Sequence, residues 1–531
     1  MATAVAGGSR SWLDRLWASI ADRGTPYAPV PDPGADPLDR ARLLTHAMLS
    51  QRGEASGAAI ARELQAAARA LSDPQLLEFY RFLADGFGPD PDALRHAAEA
   101  YLASPDPHTA SRLFDAAEPA RQELLRRMNM SPGGTAALVS MRRDLLARAR
   151  HDPAIRPLDT DLRHLFGSWF NRGFLELRRI DWQTPAATLE KLIAYEAVHE
   201  IAGWDDLRRR LAPDRRCFAF FHPALPGEPL IFVEVALTEG LATAVQPLLA
   251  RDDDTDAATL DAERRARAAR ADTAIFYSIS NCQDGLRGVS FGNFLIKQVV
   301  EELKTELPQL RRFATLSPVP GFRRWMEQRL ADAARTADAT ASAAPAPAPP
   351  DVAVTAESAA AGPPGARTPG DGPVVPPLLR DDEIEALRAA GEPGDDSLSL
   401  WRGALAAAPW FEDAAAAEAV RRPLLRLCAA YLTDSRDGSG PADPVARFHL
   451  GNGAQLERID WLGNVAPRGI SESYGLMVNY LYAPDRIEAN HENFVHGKVA
   501  RSAVVDALLE PPRPGGAKRP LIPSFGLLRG E

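Results

Sequence analysis

Residues 273–289, which read TAIFYSISNCQDGLRGV, decide the fold of this chain. The first half is apolar and aromatic, which predicts a buried strand, and the second half predicts a glycine-bearing loop. A helical stripe follows the loop and contains Phe291, Phe294, Leu295, Val299 and Leu303. A loop between a strand and a helix offers backbone N–H groups and a positive helix end to an anion. The loop Gln283–Val289 therefore suits a pyrophosphate, although an ordinary tight turn has the same spacing.

Further strands are predicted on both sides of this segment. Cys217–Phe221 and Leu230–Leu237 are apolar runs separated by a Pro/Gly turn, which indicates two paired strands. Phe313–Ser317 predicts another strand that ends against Pro318. Leu476–Leu481 predicts a later strand, and His449 is expected in a short apolar strand before it. The order of strand, strand, strand, loop, helix and strand predicts an α+β domain.

The region before these strands, from about residue 39 to 210, is rich in Ala, Leu, Arg and Glu at helical spacing. It predicts an all-helical domain over residues 1–210 whose duties are packing and subunit contact. The remainder, 211–531, is predicted to be one domain with an insert. Residues 331–377 form this insert because their Ala, Pro, Thr and Gly residues bury too little apolar area to offset the entropy of ordering.

Composition narrows the possible partners and the compartment. The net charge of −10 is mixed along the chain, which disfavours nucleic acid as a partner. No stretch has the roughly 20 apolar residues of a membrane span, so no membrane partner is expected. Three widely spaced cysteines, without CxxC spacing or a targeting signal, favour the cytoplasm. His491 and His496 are five residues apart, unlike the i, i+4 histidine pair of a zinc helix, so no metal site is predicted.

Three motifs resemble those of a known family: FYSIS at 276–280 with the loop after it, LSPVPGF at 316–322 and FHLGNGA at 448–454. All three are similar to malonyl-CoA decarboxylases. The similarity covers roughly residues 216–482 apart from the insert. It implies an N-terminal helical oligomerisation domain and a C-terminal catalytic domain with a mixed sheet and an acetyltransferase-like fold, that of the acyl-CoA N-acyltransferases. It also implies a homo-oligomer, a dimer or a tetramer, and no metal, biotin or nucleotide cofactor.

The resemblance assigns catalytic roles to Ser317 and His449. It assigns substrate binding to residues 287–293, namely Arg287, Gly288, Val289, Ser290, Phe291, Gly292 and Asn293. The implied reaction converts malonyl-CoA to acetyl-CoA and carbon dioxide, a step of fatty acid metabolism. Loss of carbon dioxide from a malonyl thioester leaves an enolate that must be stabilised and then protonated. A serine hydroxyl hydrogen-bonded to an imidazole is suited to delivering that proton, with His449 supplying or relaying it.

Two other functions are compatible with these residues. A coenzyme-A-dependent acyltransferase that acetylates an amine would use the same loop and strand order. A catalytically silent acyl-CoA sensor would also keep this fold, but the presence of both Ser317 and His449 argues against it. Within the decarboxylase hypothesis, Ser317 could instead attack the thioester, although the reaction requires no acyl-enzyme.

Overall fold

The computed structural model describes residues 12–27, 34–50, 53–250, 257–289, 295–342, 377–391, 394, 396–406, 409–434 and 440–510. The chain divides into two compact units. The first unit contains Met1–Ala242 and Pro247–Phe313, and the second contains Thr243–Gln246 and Ala314–Glu531. These units do not show which part of the chain catalyses or assembles. The predicted division near residue 210 into an oligomerisation domain and a catalytic domain therefore stays a prediction.

The first unit begins with helices. They are α1 (Trp12–Gly24), α2 (Pro37–Leu49), α3 (Glu54–Arg69), α4 (Asp73–Gly86), α5 (Pro91–Ala103), α6 (Pro107–Ala117), α7 (Ala120–Asn129), α8 (Gly134–Arg148) and α9 (Arg156–Trp169). Local sequence explains several starts: in α2, α5 and α6 an aspartate caps the first turn and a proline occupies the next position. Burial then follows the helical period, as in α4, where Phe79, Tyr80 and Leu83 are buried.

Strand β1 (Glu176–Ile180) lies within the region predicted to be entirely helical, so that part of the prediction is wrong. The strand reads Glu-Leu-Arg-Arg-Ile, and only Ile180 is buried. An edge strand that exposes charged side chains lacks the apolar alternation by which strands are recognised. Its antiparallel pairing with β2 (Arg215–Phe221) is what identifies it as a strand. Strand β2 itself begins two residues earlier than predicted.

The strands of the first unit form an antiparallel array in the order β1, β2, β3 (Pro229–Thr238) and β4 (Thr273–Asn281). The predicted strands at 217–221, 230–237 and 273–280 are confirmed with small extensions. Strand β3 is buried along nearly its whole length, which explains why it is apolar apart from Glu234, a buried carboxylate that pairs with Arg210. On one face, helices α10 (Ala186–Tyr195) and α11 (Trp204–Arg210) pack against side chains of β2 and β3.

The first unit also contains α13 (Ala257–Arg270) and α14 (Leu295–Glu306), while the short α12 (Gln246–Leu249) lies at the unit boundary. Leu295, Val299 and Leu303 are buried in α14, as the predicted stripe requires. Phe291 and Phe294 of that stripe lie outside the described residues. The next strand, β5 (Arg312–Thr315), crosses into the second unit.

The second unit is built around strand β8 (Met477–Leu481). Its partners are β6 (Ser317–Pro318) and β7 (Gln455–Asp460), and Ala314 of β5 pairs with Leu481. The surrounding helices are α15 (Phe322–Ser342), α16 (Asp381–Ala389), α17 (Ser397–Ala406), α18 (Ala414–Thr433), α19 (Pro444–Gly451), α20 (Pro467–Ser473), α21 (Ile487–Val495) and α22 (Ala503–Leu509).

Helix α15 continues to Ser342, so the first part of the insert predicted at 331–377 is helical. The sequence between 331 and 342 is rich in alanine, and its high helix propensity outweighs the low apolar content that predicted disorder. Residues 343–376 lie outside the described residues.

The predicted class, an α+β chain with a helical N-terminal part followed by a mixed-sheet part, is confirmed. None of the described helices combines the length and the apolar character needed to span a bilayer.

Candidate active site

Ser317 lies at the start of the short strand β6 in the second unit. Its backbone pairs with Val478 of β8, and Pro318 pairs with Met477. The residue is only 6% exposed. Because side chains alternate along a strand, Ser317 shares a face with Val478 and Tyr480.

His449 lies in the last turn of α19, where the sequence had predicted a strand; that prediction is wrong. Asp443 caps this helix, and its carboxylate accepts hydrogen bonds from the N–H groups of Val445 and Ala446, each at 2.9 Å. Pro444 follows at the first helical position. The Asp-Pro pair is a helix-start signal that outweighs the short apolar run after it. His449 is 3% exposed, and burial lowers its pKa to about 3, so the imidazole is neutral.

The structure brings Ser317 and His449 together although they are 132 residues apart in the chain. Ser317 Oγ lies 3.1 Å from His449 Nε2. Ser317 Oγ also donates a hydrogen bond of 2.9 Å to Oγ1 of Thr315. The catalytic roles of the pair stay predictions, but the contact that those roles require is present.

Two tyrosines surround the imidazole, and the sequence did not predict the contact of either one with His449. The hydroxyl of Tyr482 lies 2.9 Å from Nδ1 of His449, and burial raises the pKa of this phenol. The Tyr480 ring stacks on the imidazole, with centroids 4.7 Å apart and an interplanar angle of 25°. The two tyrosines are two residues apart, so an extended chain places them on the same face as Ser317. This spacing was the sequence signal that could have predicted their place beside the pair.

A hydrogen-bond network holds the strand that carries Ser317. The side-chain N–H₂ of Asn479 donates to the carbonyl oxygen of Thr315 at 2.8 Å, and the N–H of Tyr480 donates to Thr315 Oγ1 at 3.2 Å. Arg458 donates to Asn479 Oδ1 at 2.8 Å and to Asp460 at 2.6 Å. Burial raises the pKa of Asp460 to about 7. Thr315 is thus bound from β8 through both its backbone and its side chain.

The predicted substrate-binding loop lies in the first unit. After β4, residues Asp284–Leu286 form a 3-10 turn, and Gly288 has a positive φ of 75°. The Arg287 side chain is exposed and pairs with Asp284 at 2.8 Å. Val289 is buried, with 8% exposure. Ser290, Phe291, Gly292 and Asn293 lie outside the described residues.

The other histidines that the sequence drew attention to bond with the backbone. His491 Nδ1 lies 2.7 Å from the Gly451 carbonyl oxygen, and His496 Nδ1 lies 2.7 Å from that of Glu492. In the part of the chain that the structure describes, no three His, Cys, Asp or Glu side chains cluster as metal ligands would.

Comparison with known proteins gives consistent matches over most of the chain. The model of the malonyl-CoA decarboxylase C-terminal domain matches residues 173–518, and that of the N-terminal domain matches 87–170. The mitochondrial malonyl-CoA decarboxylase of Anser anser anser is 35% identical over 384 residues, which cover 72% of this chain and 67% of that protein. The mitochondrial enzyme of Mus musculus is 34% identical over 392 residues, covering 73% and 70%.

Solved structures agree with these matches. Malonyl-CoA decarboxylase from Rhodopseudomonas palustris is 46% identical, with a TM-score of 0.68, and the match covers 88% of this chain and 99% of that one. The Agrobacterium vitis protein is 45% identical, with a TM-score of 0.69 and coverage of 89% and 100%.

A helical part, a mixed-sheet part and a buried Ser317–His449 pair define an α+β enzyme in which two proton-bearing side chains lie in contact. With the family models covering well over half of it, the chain belongs to the malonyl-CoA decarboxylase family. The predicted family, and with it the decarboxylase class of enzyme, is confirmed.

Proposed function

We propose that this protein converts malonyl-CoA to acetyl-CoA and carbon dioxide by using Ser317 and His449 to protonate a thioester enolate. The observation that carries the proposal is the contact between Ser317 Oγ and His449 Nε2, with the Tyr482 hydroxyl at the opposite nitrogen of the ring. In this reaction the bond between the α-carbon and the carboxylate breaks, and its electron pair moves into the thioester as an enolate. The α-carbon then takes one proton, so malonyl-CoA and a proton yield acetyl-CoA and carbon dioxide.

The hydrogen bonds around His449 support one tautomer of the ring. A neutral imidazole carries one N–H, and its other nitrogen accepts. Tyr482 keeps its proton because burial raises its pKa. Among the described residues, Nδ1 of His449 is the group within hydrogen-bond distance of this hydroxyl, so we assign Nδ1 as the acceptor. With Nδ1 accepting, the N–H lies on Nε2 and points to Ser317 Oγ. The donors therefore run from Tyr482 to His449 to Ser317.

This direction favours proton delivery over nucleophilic attack. A serine nucleophile is activated when Nε2 accepts the serine proton and a carboxylate accepts the N–H of Nδ1. Here the partner of Nδ1 is a phenol that donates, so the ring is arranged to give a proton towards Ser317. A thioester enolate is a strong base, and a neutral N–H or O–H donor suffices to protonate its carbon.

The loop Arg287–Asn293 is proposed to bind the phosphates of coenzyme A. Gly288 is exposed and adopts a positive φ, which lets the backbone approach an anion closely. The guanidinium of Arg287 is mostly exposed, although it shares its charge with Asp284. Ser290 to Asn293 complete the predicted binding segment.

The test is a turnover assay with purified protein from which metals have been removed by a chelator. Malonyl-CoA should yield equal amounts of carbon dioxide and acetyl-CoA without an added amine. In D₂O the acetyl group should carry deuterium from the solvent. Release of free coenzyme A that depends on an amine would instead support an acyltransferase, and binding without either product would support a sensor.

The protein is further proposed to form a homo-oligomer, a dimer or a tetramer, through its helical region. Helices α5 and α6 pack against each other, no residue of α6 is buried, and Leu102 and Phe114 are 78% and 74% exposed. Large apolar side chains so exposed are typical of a contact surface. Light scattering should give a multimeric mass that falls in the double variant L102E/F114E. The control L43E alters a half-exposed leucine of α2 and should leave the mass unchanged.

The cytoplasm is the proposed location. Cys217, Cys282 and Cys428 are all buried and unpaired, as expected in a reducing compartment. The curated relatives are named as mitochondrial enzymes, so fractionation of cells that express the protein decides between the two compartments.

A further inference from the structure

Helix α8 of the N-terminal helical region lies directly against the loop that follows β4. The Cα of Gly285 is so close to the backbone of Val139 that a Cβ there would stand 2.0 Å from the Val139 carbonyl oxygen. Only glycine fits such an approach without a shift of the backbone. Both segments belong to the first unit of the chain.

Arg142, one turn further along α8, binds this loop through its backbone. The Arg142 side chain is 2% exposed, and its Nη1 donates to the carbonyl oxygens of Gly285 at 2.7 Å and Arg287 at 2.9 Å. Its Nε donates to Asp159 Oδ1 at 2.8 Å. The side chain therefore fixes two peptide groups of the loop, while Asp159 holds the charge in place.

The bond to the Arg287 carbonyl also sets the direction of the next N–H. In a trans peptide the C=O and the following N–H point in opposite directions, so the N–H of Gly288 points away from Arg142. The N–H groups of Arg287 and Val289 donate to the carbonyls of Asp284 and Leu286. Among the residues that the structure describes, no protein acceptor receives the N–H of Gly288, which is exposed.

We infer that Arg142 is a positioning residue for substrate binding, which aims the N–H of Gly288 at an oxygen of the coenzyme A pyrophosphate. The inference rests on the proposed function, in which this loop binds coenzyme A. It gives the helical region a part in substrate affinity besides its predicted part in assembly. Arg142 itself touches no substrate, and it acts only through the two carbonyls.

The experiment compares two thioesters that differ only in the nucleotide part. Malonyl-CoA contains the pyrophosphate, and malonyl-pantetheine lacks it. In Arg142→Met the KM for malonyl-CoA should rise about tenfold or more, as expected when a hydrogen bond to a charged group is misplaced, with kcat within about twofold. The kcat/KM for malonyl-pantetheine should stay unchanged, because that substrate makes no contact with Gly288.

Arg121 offers a matched control in the same helical region. It is also a buried arginine, 8% exposed. It donates hydrogen bonds to the Asp161 carboxylate and the Ala84 carbonyl oxygen, and neither of these partners belongs to the loop. Arg121→Met should lower the melting temperature without raising the KM for malonyl-CoA. Arg142→Lys should fold, because it keeps the positive charge beside Asp159. It should show an intermediate KM, because a lysine cannot reach Asp159 and both loop carbonyls at once.

Calorimetric binding of coenzyme A and of pantetheine separates this inference from the proposed function. If the wild-type protein binds coenzyme A but releases no carbon dioxide, the proposed function fails, while a weaker affinity of Arg142→Lys for coenzyme A alone still supports the inference. An unchanged affinity in folded Arg142→Lys overturns it. An equal loss for pantetheine and coenzyme A also overturns it, since that would show a general structural effect.

Discussion

Replacing Tyr482 with phenylalanine tests the direction of proton donation at His449. The substitution keeps a buried ring of the same shape and removes only the hydroxyl that lies 2.9 Å from Nδ1. Tyr482 is fully buried, so water does not simply replace the lost donor. Without that donor the imidazole is free to place its single proton on Nδ1 instead of Nε2, and the donor to Ser317 is then lost.

The expected loss follows from the charge that develops on the ring. When neutral His449 gives up its Nε2 proton, negative charge builds on the imidazole, and the Tyr482 hydroxyl stabilises it or passes its own proton to Nδ1. A hydrogen bond to a charged partner contributes about 1.5–3 kcal/mol, which corresponds to a fall of roughly 10- to 100-fold in kcat. The KM for malonyl-CoA should change little, because the effect arises in the protonation step.

The assay is steady-state release of carbon dioxide by Tyr482→Phe at several malonyl-CoA concentrations. The control is Tyr480→Phe, which keeps the ring stacked on His449 and removes a hydroxyl that makes no described bond to the imidazole. That control should retain most of the wild-type kcat. A Tyr482→Phe variant with normal kcat would refute the tautomer argument, and equal losses in both variants would point to ring packing.

Four other predictions concern the serine–histidine pair, Thr315, the pH dependence of stability and the Pro/Ala-rich segment after α15. Ser317→Ala and His449→Ala should each lower kcat about 10²-fold or more, and the double variant should be little worse; multiplicative losses in the rates would show that the two residues act separately. Thr315→Val removes the acceptor of the Ser317 hydroxyl and should lower kcat with little effect on KM, whereas Thr315→Ser should restore it. The depressed pKa of His449 means that only the unfolded state takes up this proton between its ordinary value of 6.5 and about 3. The free energy of unfolding therefore falls as the pH drops below 6.5, by about 2 kcal/mol near pH 5. Denaturant titrations near neutral pH and at about pH 5 should show a smaller fall for His449→Gln than for the wild-type protein. Deleting residues 343–373 should leave folding and turnover largely intact, since a Pro/Ala-rich segment forms few core contacts and closing a loop costs little more as it lengthens; a folded but inactive deletion variant would place the segment in the site.

Local sequence determined much of the fold. Strands β2, β3 and β4 are mostly apolar runs bounded by turn residues, and burial on both faces is what such runs require. The helical stripe after the loop was predicted as well, and its residues Leu295, Val299 and Leu303 are buried in α14. The motifs around Ser317 and His449 were sufficient to identify the family. In these cases the signal lies within a short window of residues.

Tertiary structure alone decided the partners of the key groups. His449 and Tyr482 are 33 residues apart, and Arg142 and the Gly285 carbonyl are 143 residues apart. A hydrogen bond across such a separation depends on where several elements pack, and it leaves no local pattern in either segment. His449 lies in a helix and not in the predicted strand because the cap formed by Asp443 starts α19, and this signal outweighs the short apolar run. Strand β1 exposes most of its side chains, so only its pairing with β2 defines it as a strand. The sequence alone thus determined the family, most of the sheet and the two proposed catalytic residues. The direction in which they exchange a proton depends on the Tyr482 hydroxyl, which only the folded chain places beside the ring.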